Sequence, residues 1–429
     1  MRQNFSVVIY EPFGSGGICH YTHQLAEGLT ISGLDITILT QGNYELRHFP
    51  KAFKVNDQLE SSQLKNLLVR AANRLKSTLR TESAVEDAST CLSQQKGHTA
   101  LHSTSRLARF RRWMLWCEAI YFLLKQRPRV IHFQWLLRPN EDYFFVRCLR
   151  WLGFPIVYTA HNLMPHDSSA RNEKRALQRI YGVMDAVIVH AEANKRELLR
   201  EFAVTPSRVA VIPHGSYSLF CPEPALEKDA AKEALNISPS KKVILFFGAI
   251  RRYKGLEYLV DAFLKVKAKR KDVLLLIVGK IDGKDSEEAQ FYHALIARIR
   301  QRDDVMVVHE YVEMEKVALY FAASDLVALP YTKTYQSGVL LLAYAIGRPV
   351  VVTDTGGLAE VVEVGRNGFV VPPLDVDALA GAIEEIVAAP QRIEEMGAYS
   401  KHLAATKFSW NAIASATSDL YRSVERLNG

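Results

Sequence analysis

Short apolar segments alternate with longer amphipathic segments along both halves of the chain. A short apolar run bounded by turn residues predicts a buried strand, and a longer segment with a period of about 3.6 residues predicts a helix. The alternation predicts an α/β fold with doubly wound parallel sheets. The strands predicted in the first half are Val7–Tyr10, Ile36–Thr40, Val130–Phe133, Ile156–Thr159, Ala186–Val189 and Val209–Ile212. The strands predicted in the second half are Val243–Phe247, Leu274–Val278, Val305–Val308, Leu326–Leu329, Val350–Val352 and Phe369–Val371.

The duplicated pattern predicts two domains. With 429 residues and 48% hydrophobic content, the chain is long enough for each domain to bury its own core. The break is placed at Pro213-His214-Gly215, ahead of a predicted helix Ala225–Leu235. Residues 1–215 then form the first domain, residues 216–407 the second, and residues 408–429 a final helix.

Residues 50–110 depart from this plan, because they are longer than a simple crossover and rich in Lys, Arg, Ser and Thr. Two helix-like stretches, Leu64–Leu79 and Leu107–Leu124, flank a loop-like stretch at Thr81–Ser103. The second stretch mixes basic and aromatic side chains, which suits a helix lying on an anionic bilayer. Alternatively, its aromatic residues form the buried face of an ordinary helix, and this interpretation is favoured for them. The residues concerned are Arg106, Arg109, Arg111, Arg112, Trp113, Trp116 and Tyr121.

Composition excludes several classes of protein. No apolar run reaches the roughly 18 residues of a membrane-spanning helix, and the N-terminus enters a strand without a signal-peptide pattern. The five cysteines are odd in number and lack CxxC spacing. This pattern predicts a reducing compartment such as the cytoplasm, with neither a disulfide framework nor a zinc site.

Charge is concentrated in the first half. Residues 1–215 carry 28 Lys and Arg against 18 Asp and Glu, a net charge of +10, whereas the remaining residues have a net charge of −2. No motif that reads RNA or DNA is present, so nucleic acid is not an expected partner. An anionic membrane surface and a simple solvated face both remain open as explanations.

Chemistry is indicated first at Ser337-Gly338-Val339, which opens a predicted helix directly after a strand. Such a helix start presents free backbone N–H groups and the positive end of the helix dipole to an anion. In parallel sheets, ligands bind outside the carboxyl ends of the strands. An ordinary strand-to-helix turn would have the same local sequence, so this segment alone does not decide between the two.

Two further strand–loop–helix junctions follow the same plan. Gly248 to Gly255 lies after a predicted strand and contains three cations, Arg251, Arg252 and Lys254. Thr355-Gly356-Gly357-Leu358-Ala359-Glu360 lies after another strand. In order and spacing, the three junctions resemble the donor half of the GT-B glycosyltransferases, most closely the retaining glycosyltransferase family 4. That family has a glycine-led loop ending in Lys-Gly, an acidic strand "ADLxxLP", a helix "LEAMAxGxPVV" and then "GGxxE".

The resemblance implies a GT-B fold, with two Rossmann-like domains facing a cleft and a C-terminal helix that crosses back to the N-terminal domain. It implies that residues 1–215 bind the acceptor and residues 216–407 the nucleotide-sugar donor. It assigns the catalytic roles to His161, Arg251 and Lys254. The donor-binding residues it implies are Gly16, Gly17, Gly248, Arg251, Lys254, Ser337, Gly338, Val339 and Glu360. The acceptor-binding residues it implies are Ser15, Asn162 and His166.

Two of these assignments, the glycine turn and His161, have simpler explanations. The turn Gly14-Ser15-Gly16-Gly17 could be an unliganded dinucleotide-type turn, and it lacks the third glycine of GxGxxG, which disfavours a nicotinamide cofactor. His161 could merely cap the loop that follows its strand. His214 stands where the family usually has asparagine and is interpreted as structural.

The chain also departs from the family pattern. The family's E-x7-E motif would place glutamates at Thr334 and Leu342, where this chain has neither. These glutamates contact the donor sugar and the ribose in family members. The family's Gly-Arg pair is Gly248-Ala249 here, and Arg251 could supply the missing guanidinium. Phosphate recognition is retained while sugar recognition has changed, which indicates a divergent subgroup.

The function expected is a retaining, metal-independent transfer of a hexose-type sugar from a nucleoside diphosphate to an acceptor hydroxyl. No cofactor is expected, because the only Asp-x-Asp, at residues 375–377, reads as a helix N-cap. The expected partners are the nucleotide sugar, a lipid-linked or polysaccharide acceptor, and an anionic membrane surface. The alternatives are a GT-B epimerase or phosphorylase, and a non-catalytic scaffold for glycan assembly.

Overall fold

The structure is a computed structural model that describes residues 5–40, 44–57, 106–164, 171–222, 224–282 and 286–428, with only the backbone described for residues 106–111, 171 and 428. Two parallel sheets organise these residues. The first has seven strands in the order β3-β2-β1-β4-β5-β6-β7, and the second has six in the order β10-β9-β8-β11-β12-β13. The first sheet contains β1 (Ser6–Glu11), β2 (Asp35–Thr40), β3 (Lys54–Asn56), β4 (Val130–Phe133), β5 (Ile156–Thr159), β6 (Ala186–Val189) and β7 (Val209–Val211). The second contains β8 (Lys242–Phe247), β9 (Val273–Val278), β10 (Val305–Val308), β11 (Leu326–Leu329), β12 (Val350–Thr353) and β13 (Gly368–Val371).

Helices connect the strands as crossovers. Those that precede β8 are α1 (Gly16–Ile31), α2 (Arg106–Gln126), α3 (Pro139–Trp151), α4 (Arg171–Val183), α5 (Glu192–Glu201) and α6 (Lys228–Ala234). Those that follow β8 are α7 (Leu256–Lys269), α8 (Glu287–Ile299), α9 (Met314–Ala323), α10 (Gly338–Ile346), α11 (Leu358–Val361), α12 (Val376–Val387), α13 (Pro390–Ala405) and α14 (Trp410–Asn428). In both sheets the first strand in sequence lies inside the sheet, which is the doubly wound arrangement predicted from the sequence.

The chain divides into two compact units. The first comprises Met1–Ala160, Ser168–Val187 and Thr417–Gly429, and the second comprises His161–Asp167 and Ile188–Ala416. The division differs from the domains predicted from the sequence, since Ile188 to Gly215 belong to the second unit. The last part of α14 belongs to the first unit, where the hydroxyl of Tyr421 lies 2.6 Å from His132 Nδ1.

The second sheet shows why its strands are apolar throughout. Within β8, Ile244 and Phe246 belong to one buried cluster, whereas Val243 and Leu245 belong to another. Successive side chains of a strand point to opposite faces, so a strand covered on both faces needs no polar positions. The sequence prediction of buried parallel strands is confirmed here.

Two elements were predicted less well. The strand β3 was missed, because three residues containing Lys54 and Asn56 have no apolar pattern; only its parallel pairing with β2 identifies it. The helix α6 begins at Lys228 rather than at Ala225.

The aromatic side chains of α2 correct another prediction. Trp113 is 57% exposed and Tyr121 is 70% exposed, so they do not form the buried face of the helix. Trp116 does pack inward, where its ring stacks on Phe145 at 5.6 Å. The buried side of α2 is instead marked by Arg112, Ala119 and Leu123. The other predicted parts of the insertion, Leu64–Leu79 and Thr81–Ser103, lie outside the described residues.

Among the helices that the structure describes, none combines the length and the apolar character needed to cross a bilayer.

Candidate functional site

The loops that follow β8 and β11 lie next to each other, because these strands are neighbours in a parallel sheet. At the end of β8, Gly248 has a φ of +100°. A Cβ atom added there would lie 2.6 Å from Lys254 Nζ and 3.9 Å from a methyl carbon of Val339. The glycine backbone, the lysine ammonium and the start of α10 therefore lie close to one point. Their role in donor binding stays a prediction.

Lys254 places a buried ammonium group next to Gly248, with 7% of the residue's surface exposed. Its Nζ lies 3.4 Å from the carbonyl oxygen of Phe247 and 5.6 Å above the ring of Tyr331. Burial, and secondarily the charge of Arg251, lower the pKa of Lys254 to about 8. Among the described residues, no carboxylate forms a salt bridge with this ammonium. Because a buried charge is costly unless it is paired, an anionic ligand would complete the site.

A tight turn holds Lys254 in place. Gly255, the N-cap of α7, has a φ of +64°, and a Cβ there would lie 2.2 Å from the carbonyl oxygen of Pro330. The amide of Thr332 also donates to the carbonyl of Tyr253 at 2.7 Å. Only glycine tolerates both the left-handed backbone and this close approach, so the packing of the β8 loop on the β11 loop requires glycine directly after Lys254.

The start of α10 is formed by Ser337, Gly338 and Val339. Ser337 is the N-cap, and its hydroxyl accepts a hydrogen bond from the amide of Leu340 at 3.4 Å. A Cβ on Gly338 would lie 2.5 Å from the ring of Tyr217, so the tyrosine packs directly on the helix start. The first amides of a helix have no intrahelical acceptor, which makes this end suited to a phosphate.

Arg251 does not point into this arrangement. Its guanidinium forms an ion pair with Asp282, and its side chain is 40% exposed. Contact with a diphosphate would require Arg251 to leave this carboxylate. The role predicted for it stays a prediction.

Glu360, predicted to bind the donor, contacts the start of α5. Its two carboxylate oxygens accept from the amides of Glu192 at 2.7 Å and Ala193 at 2.6 Å. Nearby, a Cβ on Gly357 would lie 2.6 Å from the Cβ of Ala191. A carboxylate at a helix N-terminus satisfies free amides and complements the dipole. The structure therefore gives Glu360 a structural contact, and its donor-binding role stays a prediction.

Three histidines of the second unit lie together. His161, His190 and His214 are each 5% exposed or less. The ring centroid of His190 lies 5.1 Å from that of His161 and 5.2 Å from that of His214. Burial lowers the pKa of His190 to about 4, and burial together with His190 lowers the pKa of His214 to about 3. Both rings are therefore neutral at pH 7.

A cavity of about 20 Å³ lies beside these histidines, with room for about one water molecule. Its lining includes His190, His214, Gln336, Ser337 and Gly357. The side-chain oxygen of Gln336 is buried and has no hydrogen-bond partner among the described residues. The histidines and the start of α10 thus line the same small cavity, and most of its remaining lining is apolar.

The glycine turn of the first unit has a different character. Glu11, at the end of β1, accepts from the amides of Phe13 at 2.9 Å and Gly14 at 2.7 Å. Glu45 accepts from the amide of Gly16 at 2.7 Å. Burial raises the pKa of Glu11 to about 7, whereas a hydrogen bond from His20 is the main cause that lowers the pKa of Glu45. Carboxylates therefore occupy amides that were predicted to face the donor phosphates.

Family models account for both halves of the chain. One described as "Glycosyl transferase 4-like domain" matches residues 16–215, and one described as "Glycosyl transferases group 1" matches residues 241–389. The D-inositol 3-phosphate glycosyltransferase 2 of Catenulispora acidiphila is 30% identical over 293 residues, which is 65% of this chain and 67% of the relative. The chain belongs to the group 1 glycosyltransferases.

Other similar proteins agree with this assignment. The D-inositol 3-phosphate glycosyltransferase of Segniliparus rotundus is 30% identical over 286 residues, 64% of this chain and 62% of the relative. The chain thus spans about two thirds, or slightly less, of the length of these relatives. Among solved structures, sucrose-phosphate synthase from Thermosynechococcus elongatus has a TM-score of 0.70 at 21% identity, covering 98% of this chain and 99% of that one. Anabaena Alr3699/HepE, in complex with UDP and glucose, has a TM-score of 0.71 at 16% identity and covers 98% and 100%. The fold is GT-B.

The structure shows the surroundings of Thr334 and Leu342, the two positions at which the resemblance places glutamates. Leu342 is 5% exposed and belongs to an apolar core cluster on α10. Thr334 is also buried, and its hydroxyl donates to the carbonyl of Gln336 at 2.9 Å. Leu342 is thus part of the apolar core, and Thr334 is part of a turn.

The remaining predicted residues are placed as follows. Gly17 lies in the first turn of α1, after the N-cap Ser15. Asn162 is half-buried and follows His161. His166 lies outside the described residues. Asp375 is confirmed as a helix N-cap, because its carboxylate accepts from the amide of Ala378. Within the described ranges, no group of three or more His, Cys, Asp or Glu side chains is placed to hold a metal ion.

Sequence reasoning missed His190, Glu11 and Glu45. His190 directly follows β6, and Glu11 is the last residue of β1. The rule that identified His161, a polar residue at the carboxyl end of a parallel strand, applies to both and would have found them. Glu45 carries no such signal, since its contact with Gly16 joins residues 29 positions apart.

Proposed function

We propose that this protein is a retaining glycosyltransferase that moves a hexose-type sugar from a nucleoside diphosphate to an acceptor hydroxyl. The observation that carries this proposal is the buried ammonium of Lys254, set against Gly248 and the start of α10 without a carboxylate partner among the described residues. A diphosphate supplies the missing negative charge. The similarity to D-inositol 3-phosphate glycosyltransferases and to HepE, which has complexes with UDP and UDP-glucose, supports a sugar nucleotide as the ligand.

The chemistry follows from where the charge develops. The bond between the anomeric carbon and the diphosphate breaks, and the acceptor oxygen attacks from the same face, so the configuration is retained. A donor phosphate oxygen takes the acceptor proton. Lys254 and the first amides of α10 stabilise the negative charge of the departing diphosphate, which is the largest contribution that a fixed polar site makes to such a step.

His161 is assigned to the transferred sugar. It follows β5 and is held by neighbouring histidines, so its ring is fixed before a ligand arrives. Because the positions of the two family glutamates hold Thr334 and Leu342, the sugar and ribose hydroxyls are bound by other groups in this chain. The donor sugar is therefore expected to differ in its hydroxyl contacts from those of glutamate-bearing members.

Binding of nucleoside diphosphates by calorimetry tests the central observation. Charge-assisted hydrogen bonds to a partly buried phosphate contribute about 1.5–3 kcal/mol. Lys254→Met should therefore lower the affinity for the tightest-binding nucleotide by about tenfold or more. Lys269→Met is the matched control, since Lys269 forms a surface ion pair with Glu384 and should leave affinity unchanged. Equal affinity in wild type and Lys254→Met would refute the assignment.

The same positive charges lead us to propose a metal-independent reaction. Lys254 and the α10 amides can hold the diphosphate without a divalent cation. Turnover of the preferred donor should persist in EDTA. Complete loss of turnover on chelation, restored by Mg²⁺ or Mn²⁺, would contradict this part of the proposal.

A non-catalytic scaffold is the second candidate, because Leu342 and Thr334 replace the family carboxylates. The two candidates differ in one measurement. A transferase should release free nucleoside diphosphate slowly from its donor even without acceptor, whereas a scaffold should bind nucleotide and release none.

We also propose that the acceptor is lipid-linked and that the first unit docks on an anionic membrane. Trp113 and Tyr121 are exposed on α2, and Phe144 and Trp151 are 65% and 84% exposed on α3. Trp116 stacks on Phe145, so the two helices pack side by side. Exposed aromatics combined with a basic net charge of +10 in residues 1–215 suit the membrane interface.

Co-sedimentation with vesicles tests this docking. The wild type should bind anionic vesicles at low salt and release at high salt, because the attraction of each basic residue is screened within a Debye length. A variant with Trp113, Tyr121, Phe144 and Trp151 changed to serine should bind less. Wild-type protein that stays in the supernatant with anionic vesicles at low salt would favour a soluble acceptor.

A further inference from the structure

The three buried histidines form an ordered hydrogen-bond chain. His190 Nδ1 lies 3.0 Å from the carbonyl oxygen of Ile212. A carbonyl oxygen only accepts hydrogen bonds, so Nδ1 of His190 carries the hydrogen. Burial keeps this imidazole neutral at pH 7, since it lowers the pKa of His190 to about 4. A neutral imidazole with a hydrogen on Nδ1 has a lone pair on Nε2.

The lone pair of His190 determines the hydrogen position on its neighbour. His190 Nε2 lies 3.2 Å from His161 Nδ1. Because His190 Nε2 is the acceptor in this pair, Nδ1 of His161 must be the donor. In its neutral form, His161 then carries its lone pair on Nε2, the ring nitrogen that does not contact His190.

We propose that His190 is a positioning residue that fixes His161 in the Nδ1–H tautomer, so that Nε2 of His161 accepts a hydrogen bond from a hydroxyl of the transferred sugar. The sugar-binding part of this inference rests on the proposed function, whereas the tautomer itself does not. With the opposite tautomer, His161 would present an N–H group at Nε2. A hydroxyl there would have to accept rather than donate, and the site would select a different hydroxyl arrangement.

The backbone around His190 is anchored on both sides. On its N-terminal side, the carbonyl of Val189 accepts a hydrogen bond from the amide of Ile212 at 2.9 Å. After it, the Glu360 carboxylate binds the first amides of α5, and the amide nitrogen of the Asn194 side chain donates to the carbonyl of Tyr335 at 3.1 Å. These contacts hold the acceptor nitrogen of His190 at a fixed place, which a hydrogen-bond relay requires.

His214 completes the environment of the relay. Its Nδ1 lies 2.7 Å from the carbonyl oxygen of Gly215, so this ring also carries its hydrogen on Nδ1. It packs on His190 at a ring-centroid distance of 5.2 Å and on Tyr217 at 5.3 Å. His214 and Tyr217 therefore pack in series beside His190, and the carbonyl of Ile212 sets the tautomer of His190 within this packed group.

Long-range ¹⁵N NMR of protein labelled at histidine tests the tautomer without any substrate. In the wild type at pH 7, His161 should show a pyrrole-type Nδ1 and a pyridine-type Nε2, and the His161→Gln spectrum identifies its signals. His190→Gln should preserve this pattern, because its side-chain oxygen reaches the place of the imidazole Nε2. His190→Phe should shift His161 toward the other tautomer. Replacing the neighbouring ring, His214→Phe, is the matched control for loss of a buried histidine and should leave the pattern of His161 in place.

A wild-type His161 with its hydrogen on Nε2 would overturn the inference, even if His190→Phe failed to fold. In a folded His190→Phe, an unchanged His161 pattern would overturn it too.

Measurements of kcat/KM test the sugar contact of His161 independently. Loss of one neutral hydrogen bond predicts a fall of about three- to tenfold in kcat/KM for the preferred donor in His190→Phe, with recovery in His190→Gln. With a donor analogue that lacks the contacted hydroxyl, wild type and His190→Phe should have similar kcat/KM values. If wild-type protein turns over no donor, the proposed function fails while the NMR result still decides the tautomer. If wild type is active and both His190 variants keep its kcat/KM, the sugar contact of His161 is refuted.

Discussion

The two glycine turns that follow the first strand of each sheet look alike in sequence and are opposite in charge. After β1, the amides of Phe13, Gly14 and Gly16 are taken by the carboxylates of Glu11 and Glu45. After β8, Gly248 faces the buried ammonium of Lys254. Glycine provides close backbone approach in both turns, but it does not specify what approaches.

The difference shows that neighbouring side chains determine which ligand a glycine turn can bind. Amides already bound to carboxylates offer little to a phosphate, and the negative charge would repel it. The turn at Gly248 offers a cation and a helix start. Donor phosphate binding is thus expected at Gly248, whereas Gly16 and Gly17 are better suited to a neutral hydroxyl-bearing group.

The largest expected effect comes from the buried carboxylate of the first turn. The pKa of Glu11 is raised from 4.5 to about 7, so the folded protein retains a proton that the unfolded chain loses earlier. The associated stability is present below pH 4.5 and is lost as the pH rises through about 7. A shift of this size corresponds to about 3 kcal/mol. Glu11→Gln should remove this pH dependence.

Urea unfolding of wild type and Glu11→Gln, measured from pH 4.5 to pH 8, gives the comparison. The stability of the variant relative to wild type should increase with pH. Glu45→Gln is the control of opposite sign: the pKa of Glu45 is lowered, so its stability contribution is present at high pH and is lost as the pH falls. A difference between Glu11→Gln and wild type that stays constant across this range would show that Glu11 is not the titrating group.

The fold was largely predictable because its strands carry a local signal. Bounds such as Val130–Phe133 and Leu326–Leu329 agree with the structure, since both strands are buried apolar runs next to turn residues. The misses have physical reasons. Lys54 and Asn56 of β3 become strand only through pairing with β2. Trp113 and Tyr121 are aromatic but exposed, and side-chain type alone does not report which face of a helix is covered.

The site was predictable where a motif combines a backbone requirement with a side chain. Lys254-Gly255 and Ser337 are such cases, because the turn and the helix cap restrict the residue. The pairing of Arg251 with Asp282 and the contact of Glu360 with α5 depend on residues distant in sequence. No local pattern encodes these contacts, so they emerge only in the folded chain.

An intermediate effect separates the two turns directly. Gly16 and Gly248 have φ values of +77° and +100°, so alanine at either position costs about 1–2 kcal/mol of backbone strain. Alanine at Gly16 meets no atom within 4 Å, whereas at Gly248 its Cβ would displace the Lys254 ammonium. Gly248→Ala should weaken nucleotide binding by about tenfold, and Gly16→Ala should leave it unchanged. A loss of affinity in Gly16→Ala, measured by calorimetry, would restore the phosphate role predicted for that turn.

The smallest effect concerns the exposed cation beside the second turn. Arg251 pairs with Asp282, and their side chains are 40% and 48% exposed, so the pair itself contributes at most about 1 kcal/mol. If Arg251 moves to the diphosphate on binding, Asp282→Asn removes its competitor and should raise nucleotide affinity by about two- to fivefold. The gain should shrink at high salt, since exposed charges are screened, and it should vanish in an Arg251→Ala background because the two residues then no longer share a contact. Calorimetry measures these nucleotide affinities in wild type, Asp282→Asn, Arg251→Ala and the double variant. Equal affinity of wild type and Asp282→Asn, together with no loss in Arg251→Ala, would leave Lys254 as the cation that distinguishes this turn from the first.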